Sequence, residues 1–146
     1  MPEIRYEVVT DAPVEEILAL YRAAGWWTEG DRGSETIHGI LLGSLVFVVA
    51  VEDGRIVGMA RALSDGVSDA WIQDVTVLPS HRRRGIGARL VERVTEACLA
   101  RGVTWVGLVA ETGTESFYGA IGYGRMTGTP MRYGIEDEPG TGGRNG

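Results

Sequence analysis

The densest chemistry in the sequence lies at 81–87, His-Arg-Arg-Arg-Gly-Ile-Gly, where three consecutive arginines meet two glycines just before an apolar pattern of helical period. A helix start binds anions because its first backbone N–H groups have no acceptor within the helix and point outward. Gly85 and Gly87 remove the Cβ atoms that would hold a phosphate away from the backbone, while Arg82, Arg83 and Arg84 add positive field and bidentate donors. An arginine run alone is often only a solvated face; its place between a strand and a helix makes this one a seat for a phosphate or diphosphate. Two carboxylates also stand apart. Asp74 interrupts the apolar run AWIQDVTV, where an acid needs a partner or an upward-shifted pKa, and on a regular strand it shares a face with Ile72 and Thr76. The plainer reading of Asp74 is an acid paired with an arginine. Glu111 ends the next apolar run.

The elements that must position these residues follow from period and punctuation. Ile4, Tyr6 and Val8 alternate with Arg5 and Glu7 as a half-buried strand does. Asp11 as a cap, the early Pro13, an acidic first turn and Gly25 as a stop bound a helix whose buried stripe is Val14, Ile17, Leu18 and Tyr21. A short helix is expected over 34–42. Two β-rich runs flank Asp53-Gly54, a strong hairpin signal, and the turn SDGVSD leads into a third run closed by Pro79. These make an antiparallel meander of three strands. The period then changes: Leu90, Val91, Val94, Ala97 and Cys98 mark a helix stopped by Gly102, and 103–110 returns to strand. Strand, helix, strand within about 35 residues is a crossover unit, so the runs at 70–78 and 103–110 should be parallel. TESFYGAIG suits two helical turns ending at Gly122, and the stretches YGRM and PMRYGIE suit a hairpin closing the sheet, with Met126 and Met131 as fillers at its edge. Residues 1–136 then form one domain and 137–146 a disordered tail.

Bulk composition excludes several classes. The chain has 146 residues, 44% hydrophobic, with 14 basic residues, all arginine, against 20 acidic, a net charge of −6. Residues 1–80 hold five arginines against thirteen acids, whereas 81–104 hold six against two. A nucleic-acid-binding module built on the arginine run would need a wider basic footprint, so no nucleic-acid partner is expected. The single cysteine, Cys98, forms no internal disulfide, and with only His38 and His81 beside it no zinc cluster and no metal are expected. Both histidines read as surface or packing residues. No apolar run approaches membrane-spanning length, which predicts a soluble, cytoplasmic protein without a membrane partner. Nor is the glycine loop a nucleotide-binding P-loop, which needs Lys and Ser or Thr, or a dinucleotide fingerprint.

The stretch VTVLPSHRRRGIGARL resembles the GNAT superfamily of acetyl-CoA-dependent N-acetyltransferases, with Arg82, Gly85 and Gly87 on the fixed positions of its [Q/R]-x-x-G-x-[G/A] loop. The resemblance covers about residues 4–135. It implies a three-layer α/β fold of mixed α+β kind, with a central mixed, largely antiparallel sheet whose parallel central strands splay apart. Backbone amides from Arg82 through Arg83, Arg84, Gly85 and Ile86 to Gly87, with Ala88 close by, would hold the coenzyme A pyrophosphate. The pantetheine arm would pair with the strand at Val75, Thr76 and Val77, the Val75 amide pointing at the thioester carbonyl. TESFYGAIGYG resembles the family's second signature, which makes Tyr118 the counterpart of its usual catalytic tyrosine. Many members carry Asn seven residues before that tyrosine; Glu111 stands there instead.

The implied reaction is direct attack of a neutral amine on acetyl-CoA, with Tyr118 as proton donor to the departing sulfur and Asp74, Glu111 or ordered water receiving the amine proton. Trp26, Trp27, Glu29, Asp31 and Glu35 suit an amphipathic cation, with aromatic faces for its carbon body and carboxylates for its ammonium. They suit equally a tryptophan pair anchoring the helix and a set of solvated acids. A homodimer is common in the family. A different class of function remains open, a non-catalytic acyl-CoA-binding sensor or structural module.

Overall fold

Five strands form one sheet in the order β1 (Ile4–Val8), β2 (Val46–Glu52), β3 (Arg55–Ser64), β4 (Asp69–Val77) and β5 (Trp105–Gly107) in a computed structural model that describes residues 2–30 and 33–136. Asp31 and the expected tail at 137–146 lie outside the described residues. The chain divides into two units, 1–108 and 109–146. The first holds the whole sheet together with α1 (Val14–Ala23), α2 (Ser34–Gly43), a 3₁₀ turn (Pro79–His81) and α3 (Ile86–Ala100); the second holds α4 (Glu115–Gly119).

β2, β3 and β4 pair antiparallel and β4 pairs β5 in parallel, as the hairpin and crossover signals predict, and β1 adds to the sheet antiparallel to β2. Asp53 and Gly54 both take positive φ, 51° and 76°, which a two-residue hairpin turn requires. Strand β2 is buried on both faces from Val46 to Val51 and reads as one unbroken apolar run. A Cβ on Gly58 of β3 would meet Leu90 of α3, whereas Arg61, three residues on, reaches Asp74 beside Tyr21 of α1. Alternation along β3 therefore puts α3 on one face of the sheet and α1 on the other, giving three layers. Ile17 and Leu20, Phe47 and Met59, and Leu90 and Val94 fill the core between them.

Helices α1 and α3 close in the same way. Gly25 and Gly102 take φ of 78° and 84°, and the amides of Trp26 and Val103 reach back to the carbonyls of Tyr21 and Cys98 at 3.0 and 3.1 Å. The N-terminus of α1 departs from expectation. Asp11 accepts from the adjacent Ala12 N–H rather than from the helix, and Pro13 occupies the cap position.

Two further expectations are corrected. β5 is three residues long rather than eight, because Val103 is already committed to closing α3 and the parallel ladder stops at Trp71 and Gly107. No strand forms over 120–136, so no hairpin closes the sheet there, and Met126 and Met131 are exposed rather than edge fillers. Gly122, Gly128 and Gly134 all turn the chain through positive φ, and Pro130 withholds a donor, so this stretch has no run able to sustain a ladder.

Candidate active site

The junction from β4 to α3 is built by the residues the sequence singles out. Gly85 caps α3 in the left-handed region at φ 76°, and no side chain caps the helix. Arg89 N–H is the first to reach an acceptor in the helix, Gly85 O at 3.2 Å, so the amides of Ile86, Gly87 and Ala88 open the helix without one from its own turns. Arg83 is also left-handed, at φ 64°. Such a conformation costs a residue with a Cβ about 1–2 kcal/mol and persists where its surroundings hold it. Here they do. Arg82 Nε donates to Val77 O at 3.1 Å, and Arg84 Nη2 donates to Glu52 Oε2 at 3.1 Å, pinning the chain on either side.

Two of the three arginines thus build the loop, and Arg83 alone among them is exposed without a hydrogen bond or ion pair among the described residues. His81 is part of the same framework, bridging Ser80 Oγ at 2.7 Å and Glu52 Oε1 at 3.0 Å. Hydrogen bonds from His81 first and then Arg84 hold the Glu52 carboxyl below the usual glutamate range. Sequence reasoning passed over Glu52 and over this role for His81; the only signal was an acid placed at the hairpin end of β2.

β4 carries a bulge toward its C-terminal end. Arg61 opposes Gln73 and Met59 opposes Thr76, so Asp74 and Val75 together stand against the single residue Ala60. Asp74 takes φ 56° and turns to the α1 face, where its Oδ2 accepts from Arg61 Nε and from Tyr21 Oη, both at 2.7 Å. Gly58, which faces α3, opposes Val77, and Ala62 opposes Ile72. Asp74 therefore shares its face with Thr76 but not with Ile72, and the bulge is the reason. The plainer expectation of an arginine partner is met by Arg61, an interruption of the apolar run of β3 just as Asp74 interrupts β4. Burial first, and then the Asp74 charge, push the Tyr21 phenol far above its ordinary pKa and keep it a donor.

Beyond Trp71 and Gly107 the parallel pairing ends, so Ile72 to Val77 present a strand edge that β5 does not occupy. Thr76 and Val77 are buried, and Val75 is half-buried. Trp71 and Trp105 meet edge to face, ring centroids 5.2 Å apart, over Gly107, where a Cβ would lie 2.8 Å from the Trp105 ring.

In the second unit, Tyr118 lies on α4. Its ring meets Phe117 at 5.0 Å and Tyr123 at 6.3 Å between centroids, and its carbonyl accepts from Ile121 and Tyr123 N–H as the helix closes at Gly122. Burial, then the Glu111 charge, then Tyr123 raise the Tyr118 pKa above 10.0. Glu111 is exposed, and its carbonyl accepts from Thr114 N–H and Oγ1 at 3.0 and 2.6 Å. It lies four residues past β5 rather than at a strand end.

Among the acceptor candidates, Trp26 and Trp27 are half-buried with centroids 6.2 and 6.4 Å from that of Tyr21. Glu29 is exposed and pairs with Arg22 at 3.3 Å, while Glu35 is exposed in the first turn of α2. The histidine of α2, His38, is exposed and lines a shallow cavity with Asp11 and Leu42. Among the described residues no cluster of His, Cys, Asp and Glu is arranged for a metal, and no helix is long and apolar enough to cross a membrane.

A helix start without a side-chain cap, reached through two left-handed residues and beside a parallel strand pair only three residues long, sits in a three-layer α/β fold with a mixed sheet. The model of the acetyltransferase (GNAT) family matches residues 10–123, and the chain belongs to that family. A GNAT family acetyltransferase from Streptococcus pneumoniae TIGR4 superposes with a TM-score of 0.74 at 28% identity, covering 91% of this chain and all of that one. A putative acetyltransferase from Deinococcus radiodurans R1 gives 0.68 at 27%, covering 89% and 88%. In sequence the chain is 36% identical over 72 residues to GCN5-related N-acetyltransferase 2, chloroplastic, of Arabidopsis thaliana, and 39% over 70 residues to serotonin N-acetyltransferase 2, chloroplastic, of Oryza sativa subsp. japonica. Those matches take in 49% and 48% of this chain but 28% and 35% of the relatives, so the chain spans about a third of their length.

Proposed function

We propose that the chain is an N-acetyltransferase moving an acetyl group from acetyl-CoA to a primary amine, of a small molecule or exposed on a protein, with both substrates bound at once. Residues 1–136 act as one catalytic domain in this reading. The observation that carries it is the uncapped start of α3 reached through Arg83 and Gly85, directly after a bulged strand with an open edge. The amides of Ile86, Gly87 and Ala88, with the Arg83 guanidinium, suit the diphosphate, and the backbone of Val75, Thr76 and Val77 suits the pantetheine arm. Acetyl-CoA supplies an activated acyl thioester.

This chain's own residues do the rest. Val75 N–H, at the bulge opposite Ala60, donates to the carbonyl oxygen as negative charge develops there. An alkylammonium with a pKa of about 10.4 must lose a proton before attack. Asp74 anchors it through Oδ1, its Oδ2 being held by Arg61 and Tyr21, and Glu111 receives the proton. Tyr118, kept protonated by its surroundings, gives a proton to the departing sulfur and is restored by the second proton that the nitrogen sheds as the amide forms. Trp26 and Trp27 take the carbon body of the amine, and Glu35 adds the negative rim.

Thiol release from acetyl-CoA over a panel of amines tests the assignment. Turnover with at least one amine is expected, and Tyr118→Phe should lower kcat about 100-fold while leaving the Kd for coenzyme A unchanged. Binding without turnover across the panel marks a non-catalytic acyl-CoA module instead.

A further inference from the structure

A pair of hydrogen bonds at the bulge joins three elements distant in sequence. Tyr21 of α1 and Arg61 of β3 both donate to one oxygen of Asp74 at 2.7 Å, and both partners of the Arg61–Asp74 pair are largely withdrawn from solvent. The donors are themselves held. Arg61 Nη1 reaches Ser44 Oγ at 3.3 Å, which in turn donates to Ile40 O at 2.6 Å, and the Tyr21 ring lies against Trp26 and Trp27. Asp74 meanwhile occupies a left-handed conformation, which aspartate tolerates better than most residues with a Cβ but which is out of place within a strand.

Backbone geometry turns this clamp into a constraint on the chemistry. The peptide between Asp74 and Val75 is planar, so the torsions of Asp74 set the direction in which Val75 N–H points. We propose that Tyr21 and Arg61 are positioning residues of acetyl transfer, fixing the Asp74–Val75 peptide plane by gripping the Asp74 side chain from two elements. The inference rests on the reading of Val75 N–H as the donor to the thioester carbonyl. Because Tyr21 also packs against Trp26 and Trp27, one side chain serves both the bulge and the acceptor segment.

Tyr21→Phe is the sharpest probe, since it removes the hydroxyl and keeps the ring. It should lower kcat about tenfold or more, as small misplacements of reacting groups do, with the Kd for coenzyme A unchanged. It should also speed amide hydrogen exchange over 72–77. Asp74→Asn retains an acceptor oxygen for both donors, so it should raise the KM for the amine while keeping exchange over 72–77 near the wild-type rate. Unchanged exchange and unchanged kcat in Tyr21→Phe would overturn the clamp, and faster exchange with unchanged kcat would overturn its link to the chemistry. A wild-type protein that transfers no acetyl group, while Tyr21→Phe still loosens 72–77, would defeat the reading of the site and leave the clamp standing.

Discussion

A phenol serves as an acid only while it keeps its proton, and every influence resolved at Tyr118 works to keep it there. Burial, the Glu111 charge and Tyr123 all destabilise the phenolate, so its pKa lies above the ordinary 10.0. The sign follows: a raised pKa extends the protonated form to higher pH. The alkaline limb that Tyr118 gives the kcat profile should therefore have its midpoint above about pH 10, and Glu111→Gln, which removes the second cause along with the proposed proton acceptor, should lower kcat and bring that midpoint down in pH. Stopped assays across pH 6–10.5 check both. Glu52 shows the opposite shift. Its carboxyl is held low by His81 and Arg84, so its contribution to stability is present above the ordinary glutamate range and is lost as pH falls through the lowered folded value. Melting curves from pH 6 to pH 3 should fall more steeply for the wild type than for Glu52→Gln. Equal slopes would mean that the Glu52 contacts add nothing to the folded state.

Elements carry the next set of consequences, because the proposed site draws on the ends of strands and the start of one helix. Gly85→Ala places a Cβ at φ 76° and should cost about 1–2 kcal/mol, several degrees in Tm, by thermal melting. Gly107→Ala drives a methyl into the Trp105 ring, 2.8 Å away, and should cost about 1–3 kcal/mol in urea denaturation. At this scale much was legible in the sequence. Asp53-Gly54 fixed a hairpin, the change of period after Pro79 announced the crossover, and the glycines after Arg82 marked the helix start. What escaped notice depends on register. A regular alternation puts Asp74 beside Ile72, and only the extra residue opposite Ala60 turns it to Arg61 and Tyr21. No local pattern announces a bulge within an otherwise apolar run. The missing hairpin over 123–136 has a simpler cause, since glycine and proline spacing there outweighs scattered Met and Tyr.

Across the whole molecule, the charge distribution suits the proposed compact diphosphate better than a polyanion. The chain is acidic overall, at −6, and concentrates arginine between 81 and 104, where Arg82 and Arg84 are already used in holding the loop. Duplex DNA at about 0.15 M salt should leave coenzyme A affinity unchanged, whereas competition would call for a basic surface beyond this segment. Because the curated relatives are about three times as long as the stretch they share with this chain, their substrates give no direct guide to its own amine. The central claim concerns main-chain nitrogens, and nuclear magnetic resonance reads those directly. Titrating ¹⁵N-labelled protein with coenzyme A should give saturable shifts that are largest at the amides of 83–88, with smaller ones at 75–77. Shifts centred elsewhere, or none at millimolar ligand, would contradict the account.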